Sequence, residues 1–252
     1  MKMHPYLYIS LLFFALFSCR QPHYEIVSEE GYTVPMDISQ RETTDTSFIN
    51  EVNLYKQKVD SITGQVIGKS AVFMDIKRPQ SRLSNFTADL LKRKVGELNH
   101  TSCDFAIMNM GGIRTSLSKG DITVGEIFSI FPFDNSLSLL KIKGKDVKTL
   151  FESIASRKGE GISKEVALVV TPDYQIKSLR IGGKPIEEDR IYTVGTIDYL
   201  ANGNDGMDAF KNAVERIDSH IRLRDVMLSY VKELQKEGKV LNATLDNRFI
   251  IE

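Results

Sequence analysis

The 252-residue sequence predicts a mixed α+β domain, and three observations carry that prediction. Apolar side chains recur at intervals of three and four along several segments, which is the period of an amphipathic helix. Short apolar stretches typical of strands alternate with those segments without a regular strand–helix–strand repeat, which disfavours a doubly wound parallel sheet. Gly182-Gly183 lies between two such stretches and is a two-residue hairpin signal.

Each element is predicted from a local pattern. A first amphipathic helix has its apolar stripe at Phe48, Val52, Tyr55, Val59 and Ile62. Strands are predicted at residues 65–73, 105–108, 137–143, 166–170, 176–181 and 191–197. Further helices are predicted near Ser81, after the capping-box pair Thr123 and Glu126, around Val147, and from Leu223 to Gly238. No internal repeat is present, so residues 46–252 are expected to form one domain.

Charge and composition restrict the classes of function. The sequence has 33 Lys and Arg against 33 Asp and Glu, so its formal net charge is zero. A chain with this balance has no extended basic field to attract nucleic acid or anionic lipid, which disfavours a general nucleic-acid binder. Its 42% hydrophobic content is that of a globular protein. Any bound anion must therefore meet a local site.

The N-terminal segment is predicted to direct export. Residues 6–17 form an apolar run broken only by Ser10, which is too short to span a bilayer but fits the apolar part of a signal peptide. Because the run ends in Ser18-Cys19, it resembles a bacterial lipobox, and the alternative is an ordinary cleavable signal with an incidental cysteine. We expect a signal peptide at 1–18, a lipidated Cys19, a polar tether at 19–45, and a location in the cell envelope where the lipid anchor is the only membrane contact.

The second cysteine, Cys103, has no disulfide partner once Cys19 is lipidated. No catalytic motif surrounds it, and lone cysteines are among the most buried residues of proteins. We interpret Cys103 as a core or near-surface packing residue and not as a nucleophile.

One polar loop, at residues 109–114, follows a predicted strand and suits an anion. Gly111 and Gly112 allow the backbone to approach a ligand closely, and Arg114 offers a guanidinium fork for phosphate oxygens. Taken alone, the pattern fits a tight turn with a solvated arginine better.

A second polar loop, at residues 198–206, suits a nucleoside. Its Asn and Gly residues permit left-handed backbone geometry, so the loop can fold around Asp205 while Tyr199 offers a ring face. A surface loop with an Asx-turn is the alternative. Phe133, in the turn after Pro132, is either a core residue or a displayed ring.

Together these segments resemble the C-terminal domain of the 5′-nucleotidase family. The motifs are Asn-x-Gly-Gly-Ile-Arg at 109–114, Gly-Asp-Ile-Thr at 120–123, Pro-Phe-x-Asn at 132–135 and Tyr-Leu-Ala-Asn-Gly-x-Asp-Gly at 199–206. The resemblance runs from about residue 48 to the C-terminus. It implies a single α+β domain of the 5′-nucleotidase C-terminal type, which binds the base and sugar of a nucleotide.

The resemblance also implies residue roles. Phe133 and Tyr199 would sandwich the base, Asn109 would reach its polar edge, Asp205 would accept from ribose hydroxyls, and Arg114 would bind phosphate and ribose oxygens. Gly111 and Gly112 would line the same site. A second basic group of the family precedes the helix near Ser81, and either Lys77 or Arg78 would take its place. Met110 departs from the family, which usually has a third glycine there.

Hydrolysis in full-length members of that family takes place in a separate metallophosphoesterase domain that holds two divalent ions. Here Asp218-Ser219-His220 and Asn99-His100 match only fragments of its metal motifs. No catalytic residue, metal site or cofactor is therefore predicted in this chain, and divalent ions are expected in a partner domain.

Three hypotheses remain for the function. The chain is the nucleotide-binding half of a split nucleotidase whose metallophosphoesterase is a separate protein, or a nucleoside- or nucleotide-binding envelope lipoprotein without turnover, or a degenerate interaction module. The presence of both rings, Asn109, Arg114 and Asp205 disfavours the third. We favour the first.

Overall fold

The computed structural model describes residues 27–33 and 46–252. Residues 27–33, within the predicted tether, are exposed and form neither helix nor strand. The predicted signal peptide, Cys19 and the rest of the tether lie outside the described residues. Glu51–Glu252 form the compact unit that carries the features below. Within the described ranges, no helix has both the length and the apolar character needed to cross a membrane.

Helices and strands alternate irregularly, as predicted. The helices are α1 (Thr46–Thr63), α2 (Arg82–Leu98), α3 (Val124–Ile130), α4 (Gly144–Ser156), α5 (Asp198–Ala201) and α6 (Leu223–Lys236). The strands are β1 (Val66–Ser70), β2 (Phe105–Met108), β3 (Gly120–Thr123), β4 (Ser136–Lys143), β5 (Gly161–Ile162), β6 (Val166–Val170), β7 (Ile176–Ile181), β8 (Lys184–Pro185), β9 (Ile191–Ile197), β10 (Glu215–Arg222) and β11 (Phe249–Ile251). The predicted mixed α+β class is confirmed.

Local signals set several of these boundaries. The Glu126 N–H donates to Thr123 Oγ1 at 3.1 Å, and the Thr123 N–H donates to Glu126 Oε2 at 3.1 Å, which completes the predicted capping box of α3. Gly182 and Gly183 have φ of 59° and 76° and join β7 to β8 in the predicted hairpin. Gly238, with φ of 66°, follows α6 in the predicted capping role.

The strands form three sheets. A five-stranded sheet has the order β10-β4-β9-β2-β5, a four-stranded sheet the order β11-β6-β7-β8, and β1 pairs with β3. In the five-stranded sheet β9 runs parallel to β2, whereas β4 is antiparallel to β9 and β5 is antiparallel to β2. Parallel and antiparallel pairs therefore occur side by side at the centre of the fold.

This topology brings four loops to one edge of the five-stranded sheet. Since β2 and β9 are parallel, the loops that follow their carboxyl ends, from Asn109 and from Asp198, emerge at the same edge. Leu137 pairs with Ile197, so the turn before β4 reaches that edge too. Gly161 pairs with Met108, which places the segment before β5 beside them.

The core lies around the five-stranded sheet. Helix α2 contacts β2, β5 and β9, and α4 contacts β4 and β9. The rings of Phe105 and Phe151 lie 5.6 Å apart at the centre of this packing. Cys103 is buried near them and donates from Sγ to the Phe105 carbonyl at 3.0 Å. Its burial confirms the interpretation as a packing residue, and the same burial raises the pKa of its thiol to about 12.

The predicted first helix is confirmed as α1, but none of its residues is buried. Its periodic apolar side chains, including Val52, Tyr55, Val59 and Ile62, are exposed. Periodicity therefore identified the helix, whereas burial depends on packing that lies outside a local pattern.

Candidate functional site

A cavity of about 340 Å³ opens where the loops converge. It is lined by Asn109, Gly111, Gly112 and Arg114 from the loop after β2, by Phe133 and Asn135 from the turn before β4, and by Tyr199 and Asp205 from the segment after β9. This volume falls within the range of about 300–1,000 Å³ typical of small-molecule sites. The structure thus brings together seven of the predicted site residues and adds Asn135.

Asn109 and Asp205 form the polar centre of the cavity. Asn109 is buried, and its Nδ2 donates to Asp205 Oδ2 at 2.7 Å. The Tyr199 hydroxyl lies 3.4 Å from Asp205 Oδ1 and donates to it. The carboxylate thus accepts from one amide and one hydroxyl group of the protein, and it keeps acceptor positions for further hydrogen-bond donors.

The backbone around Asp205 has the predicted left-handed geometry. Asp205 has φ of 55° and ψ of 33°, and the flanking Gly203 and Gly206 have φ of 84° and 73°. Asn204 Nδ2 closes the loop by donating to the Tyr199 carbonyl at 2.8 Å. Asp tolerates this region better than most side chains do, so the loop holds its carboxylate at limited conformational cost.

The two glycines of the first loop occupy their positions for different physical reasons. A Cβ on Gly112 would lie 2.6 Å from both Asn109 Oδ1 and Met108 Cε, so any side chain at this position would displace the Asn109 amide or the end of the Met108 side chain. A Cβ on Gly111 would be in ordinary contact, 3.7 Å from Asn109 Nδ2 and 3.9 Å from Asp205 Oδ2. Gly111 therefore keeps the approach to the polar centre open.

Two aromatic rings flank the cavity and keep part of their surface in water. Phe133 is 47% exposed and Tyr199 is 38% exposed. Of the two alternatives for Phe133, the displayed ring is confirmed. The buried Arg224 of α6 holds its turn, since Nη1 donates to the carbonyls of Phe131 and Pro132 at 3.1 Å each and Nη2 donates to Asp134.

The three predicted basic residues lie in different surroundings. Arg114 is exposed at the cavity and its Nη1 donates to the Gly111 carbonyl at 3.2 Å. Lys77 pairs with Asp75 at 3.1 Å and does not line the cavity. Arg78 also lies outside the lining, but its guanidinium is bonded to Glu160, which in turn accepts from the N–H of Met110. Of the two candidates, Arg78 is therefore the one linked to the site.

Glu160 and Arg157 were not singled out from the sequence. Arg157 Nη2 lies 3.7 Å from Asp205 Oδ1, and its Nε donates to Glu160 at 2.9 Å. The only sequence signal is a charged segment with Gly159 and Gly161 directly after a predicted helix. Such segments are usually solvated turns, so the burial of Glu160 could not be anticipated.

Glu160 also explains why Met110 is compatible with the first loop. Met110 stands where the related family usually has glycine, and its side chain is buried. Its N–H donates to the Glu160 carboxylate and therefore already has a hydrogen-bond acceptor within the protein. The methionine packs into the core without closing the cavity.

Asp218 and His220 do not form a metal-binding arrangement. Asp218 accepts from Ser138 Oγ at 2.6 Å and from Arg216 Nε at 2.9 Å. Burial opposes ionisation of Asp218, yet these bonds outweigh it and lower the pKa of the carboxyl group. A carboxylate already paired with a guanidinium is a poor cation ligand. Over residues 27–33 and 46–252, no group of three or more His, Cys, Asp or Glu side chains is placed to hold a metal ion.

A larger groove of about 930 Å³ lies along α2, away from every predicted site residue. Two of its charged side chains have protein partners: Lys92 pairs with Glu165 at 2.7 Å, and the Arg93 guanidinium lies 4.6 Å from the centre of the Tyr230 ring. The groove contains none of the predicted site residues, whereas the smaller cavity gathers seven of them, so we assign the functional site to the smaller cavity.

Known proteins resemble this chain in sequence and in fold. The trifunctional nucleotide phosphoesterase YfkN of Bacillus subtilis is 27% identical over 79% of this chain and 14% of its own length. The human 5′-nucleotidase is 24% identical over 83% of this chain and 41% of its own length. The crystal structure of a 5′-nucleotidase precursor from Thermus thermophilus superposes with a TM-score of 0.69 at 25% identity, covering 82% of this chain and 43% of that one.

The chain spans less than half the length of these relatives. A family model described as the 5′-nucleotidase C-terminal domain matches residues 66–212, which is more than half of the 252 residues. The matched range contains every residue that lines the cavity. This chain therefore belongs to the family of 5′-nucleotidase C-terminal domains.

Proposed function

We propose that the cavity binds a nucleotide and that the chain is the nucleotide-binding half of a 5′-nucleotidase-type hydrolase. The observation that carries the proposal is the bonded trio of Asn109, Asp205 and Tyr199 in a cavity with a half-exposed ring on the neighbouring turn. A carboxylate accepts from ribose hydroxyls, ring faces stack on a base, and a guanidinium binds phosphate.

In this proposal four residues contact the ligand directly. Phe133 and Tyr199 stack on the base, Asp205 accepts from the ribose, and Arg114 binds phosphate oxygens. Asn109 acts mainly through Asp205, since its Nδ2 is bonded to that carboxylate. A nucleoside or nucleotide is thus the proposed small-molecule partner.

The hydrolytic step is proposed to occur on a separate metallophosphoesterase. Hydrolysis of a phosphate ester needs an activated water, and divalent ions supply it by lowering the pKa of a bound water molecule. The carboxylate of Asp218 is committed to Arg216 and Ser138, so the ions are assigned to that partner. The proposed location is the cell envelope, where a lipid on Cys19 would be the membrane anchor.

Measuring phosphate release tests whether this chain binds the nucleotide without hydrolysing it. The purified full-length chain is incubated with 5′-AMP or UDP-glucose and with Mn²⁺ or Zn²⁺, and AMP binding is measured in parallel by calorimetry. Binding without release above a metal-only blank is expected. Metal-dependent release that disappears in Asp218→Ala or His220→Ala would place a catalytic metal site in this chain and overturn the proposal.

A further inference from the structure

The Asp205 carboxylate is held from three different elements of the fold. Its Oδ2 accepts from Asn109 Nδ2 in the loop after β2 at 2.7 Å, and its Oδ1 lies 3.4 Å from the Tyr199 hydroxyl in α5. The third partner is Arg157, which follows α4 directly and whose Nη2 lies 3.7 Å from the same Oδ1. Because each oxygen has its own partners, the orientation of the carboxylate is defined.

A second, buried carboxylate fixes the position of Arg157. Glu160 has no exposed surface, and its Oε1 accepts from Arg157 Nε at 2.9 Å and from Arg78 Nη2. Its Oε2 accepts from the N–H of Met110, the residue after Asn109. A buried carboxylate without such donors would be costly, so the guanidinium of Arg157 is held at Glu160.

These contacts close a ring that joins three loops. Each member contacts the next through a hydrogen bond, an ion pair or the backbone, in the order Asn109, Asp205, Arg157, Glu160 and Met110. Close packing supports the ring on both sides. A Cβ on Gly206 would lie 2.9 Å from Ser153 Oγ of α4, and a Cβ on Gly159 would lie 2.2 Å from the Pro79 carbonyl oxygen. The three loops are therefore fixed relative to one another.

Arg157 reaches the site through Asp205. Asp205 lines the cavity and Arg157 does not, and the charge of the Arg157 guanidinium is shared between Glu160 and Asp205. Ion pairs between partly exposed groups contribute little to stability, and the side chains of Arg157 and Asp205 are 35% and 24% exposed. The role that this contact supports is therefore orientation of the Asp205 carboxylate.

We propose that Arg157 is a positioning residue for Asp205, that Glu160 fixes Arg157, and that these contacts set how strongly the cavity selects a ribose with free 2′ and 3′ hydroxyl groups. The inference rests on the proposed nucleotide-binding function, in which Asp205 accepts from the ribose, and deepens it. A hydrogen bond needs its acceptor at a defined distance and direction. A carboxylate that is free to turn away loses its bonds to the ribose, while the base still stacks on Phe133 and Tyr199.

The test compares adenosine with 2′,3′-dideoxyadenosine, which lacks both hydroxyl groups, by calorimetry on the purified full-length chain. Arg157→Gln is expected to weaken adenosine binding about threefold, the effect of breaking one contact in a hydrogen-bonded network. Binding of 2′,3′-dideoxyadenosine should be unchanged, so the ratio of the two affinities falls. A merely structural role of Arg157 would affect both ligands alike and leave that ratio as it is.

A double-mutant cycle separates positioning from an independent effect of Arg157. In the Asp205→Asn background, Arg157→Gln should cause no further loss of adenosine affinity, because the carboxylate that Arg157 orients is absent. Glu160→Gln should lower the ratio of the two affinities in the same direction, since it weakens the bond that holds Arg157. Should Glu160→Gln not fold, the cycle decides the question.

Two other arginines serve as controls. Arg190 is the matched one, because its side chain is 38% exposed and pairs at 2.8 Å with Asp104, which is 25% exposed, away from the cavity. Arg190→Gln should leave the affinities for both ligands unchanged. Arg180→Gln removes an exposed guanidinium from β7, where Arg180 contacts only the Gly183 carbonyl among the described residues, and should also have no effect.

The outcomes distinguish this inference from the proposed function. Equal losses for the two ligands in Arg157→Gln, no loss for either, or a further loss in the Asp205→Asn background would overturn the positioning role and leave nucleotide binding intact. A wild-type chain that binds neither adenosine nor AMP would overturn the proposed function itself and this inference with it.

Discussion

Asn109 Nδ2 donates to Asp205 Oδ2 at 2.7 Å although the two residues are 96 positions apart in the chain. The contact exists because β2 and β9 are parallel neighbours whose following loops emerge together. It also fixes the amide orientation of Asn109, since the reversed amide would direct an oxygen at a carboxylate. The pair converts a surface carboxylate into an oriented acceptor, and this acceptor is the polar centre of the proposed site.

Replacing Asp205 by Asn tests that acceptor without changing the left-handed backbone, which Asn also tolerates. We expect adenosine and AMP to lose affinity by a similar factor, about fivefold, since a charge-assisted hydrogen bond is replaced by a neutral one. Calorimetry with 2′,3′-dideoxyadenosine should show no such loss. Asp208→Asn is the control, because Asp208 is exposed and pairs with Lys211. Full retention of adenosine affinity in Asp205→Asn would contradict the ribose assignment.

The ring of Tyr199 is predicted to stack on the base. Tyr199→Ala should weaken nucleoside binding by about 1–3 kcal/mol. Tyr199→Phe should bind almost normally, because it keeps the ring and loses only the long 3.4 Å contact to Asp205. Tyr55→Ala, on the exposed face of α1, controls for loss of an exposed tyrosine. Unchanged affinity in Tyr199→Ala would refute stacking.

Arg114 is predicted to bind phosphate. Arg114→Ala should weaken AMP binding by about 1.5–3 kcal/mol and adenosine binding by less, since only AMP carries the charged group. The measurement is again calorimetric, with Arg180→Ala as the control. If both ligands lose affinity equally, Arg114 acts on the nucleoside and the phosphate assignment is wrong.

Cys103 is predicted to be chemically inert in the folded protein. Burial raises the pKa of its thiol to about 12, so almost no thiolate is present at pH 8. Iodoacetamide should therefore label the Cys103 peptide slowly in buffer and rapidly after unfolding in urea, as followed by mass spectrometry. Rapid labelling of the native chain at pH 8 would mean that the thiol is accessible.

Cys19 is predicted to anchor the protein through a lipid. In bacteria that express the full chain, Cys19→Ala should move the protein from the membrane fraction to the soluble fraction, as judged by immunoblotting. Cys103→Ala is the matched control and should leave the distribution unchanged. A Cys19→Ala protein that stays in the membrane fraction would argue against lipid anchoring.

Much of the fold was predictable from local patterns. The capping box at Thr123, the glycine hairpin at Gly182-Gly183 and the apolar period of α2 and α6 each reflect interactions within a few residues. Strand β10 was missed because its residues are almost all exposed and charged residues alternate with Ile217 and Ile221 at the sheet edge. Strands β3, β5 and β11 are too short to carry a period.

Site residues could be predicted where glycine, asparagine or aromatic residues directly follow a predicted strand, since that pattern indicates a binding loop. Gly111, Tyr199 and Asp205 belong to that class. Arg157 and Glu160 do not, because their place depends on the pairing of β5 with β2 and on the burial of one carboxylate. Such long-range relationships leave no local trace in a single sequence.

The central claim is that the cavity formed by Asn109, Phe133, Tyr199 and Asp205 binds a nucleotide. Its most direct test is titration of the wild-type full-length chain and of a Phe133→Ala/Tyr199→Ala double variant with AMP, together with the thermal unfolding midpoint of each. We predict saturable binding to one site in the wild type and its loss in the double variant, with similar midpoints. The absence of saturable AMP binding by the wild type, or equal affinity in the double variant, would contradict the claim.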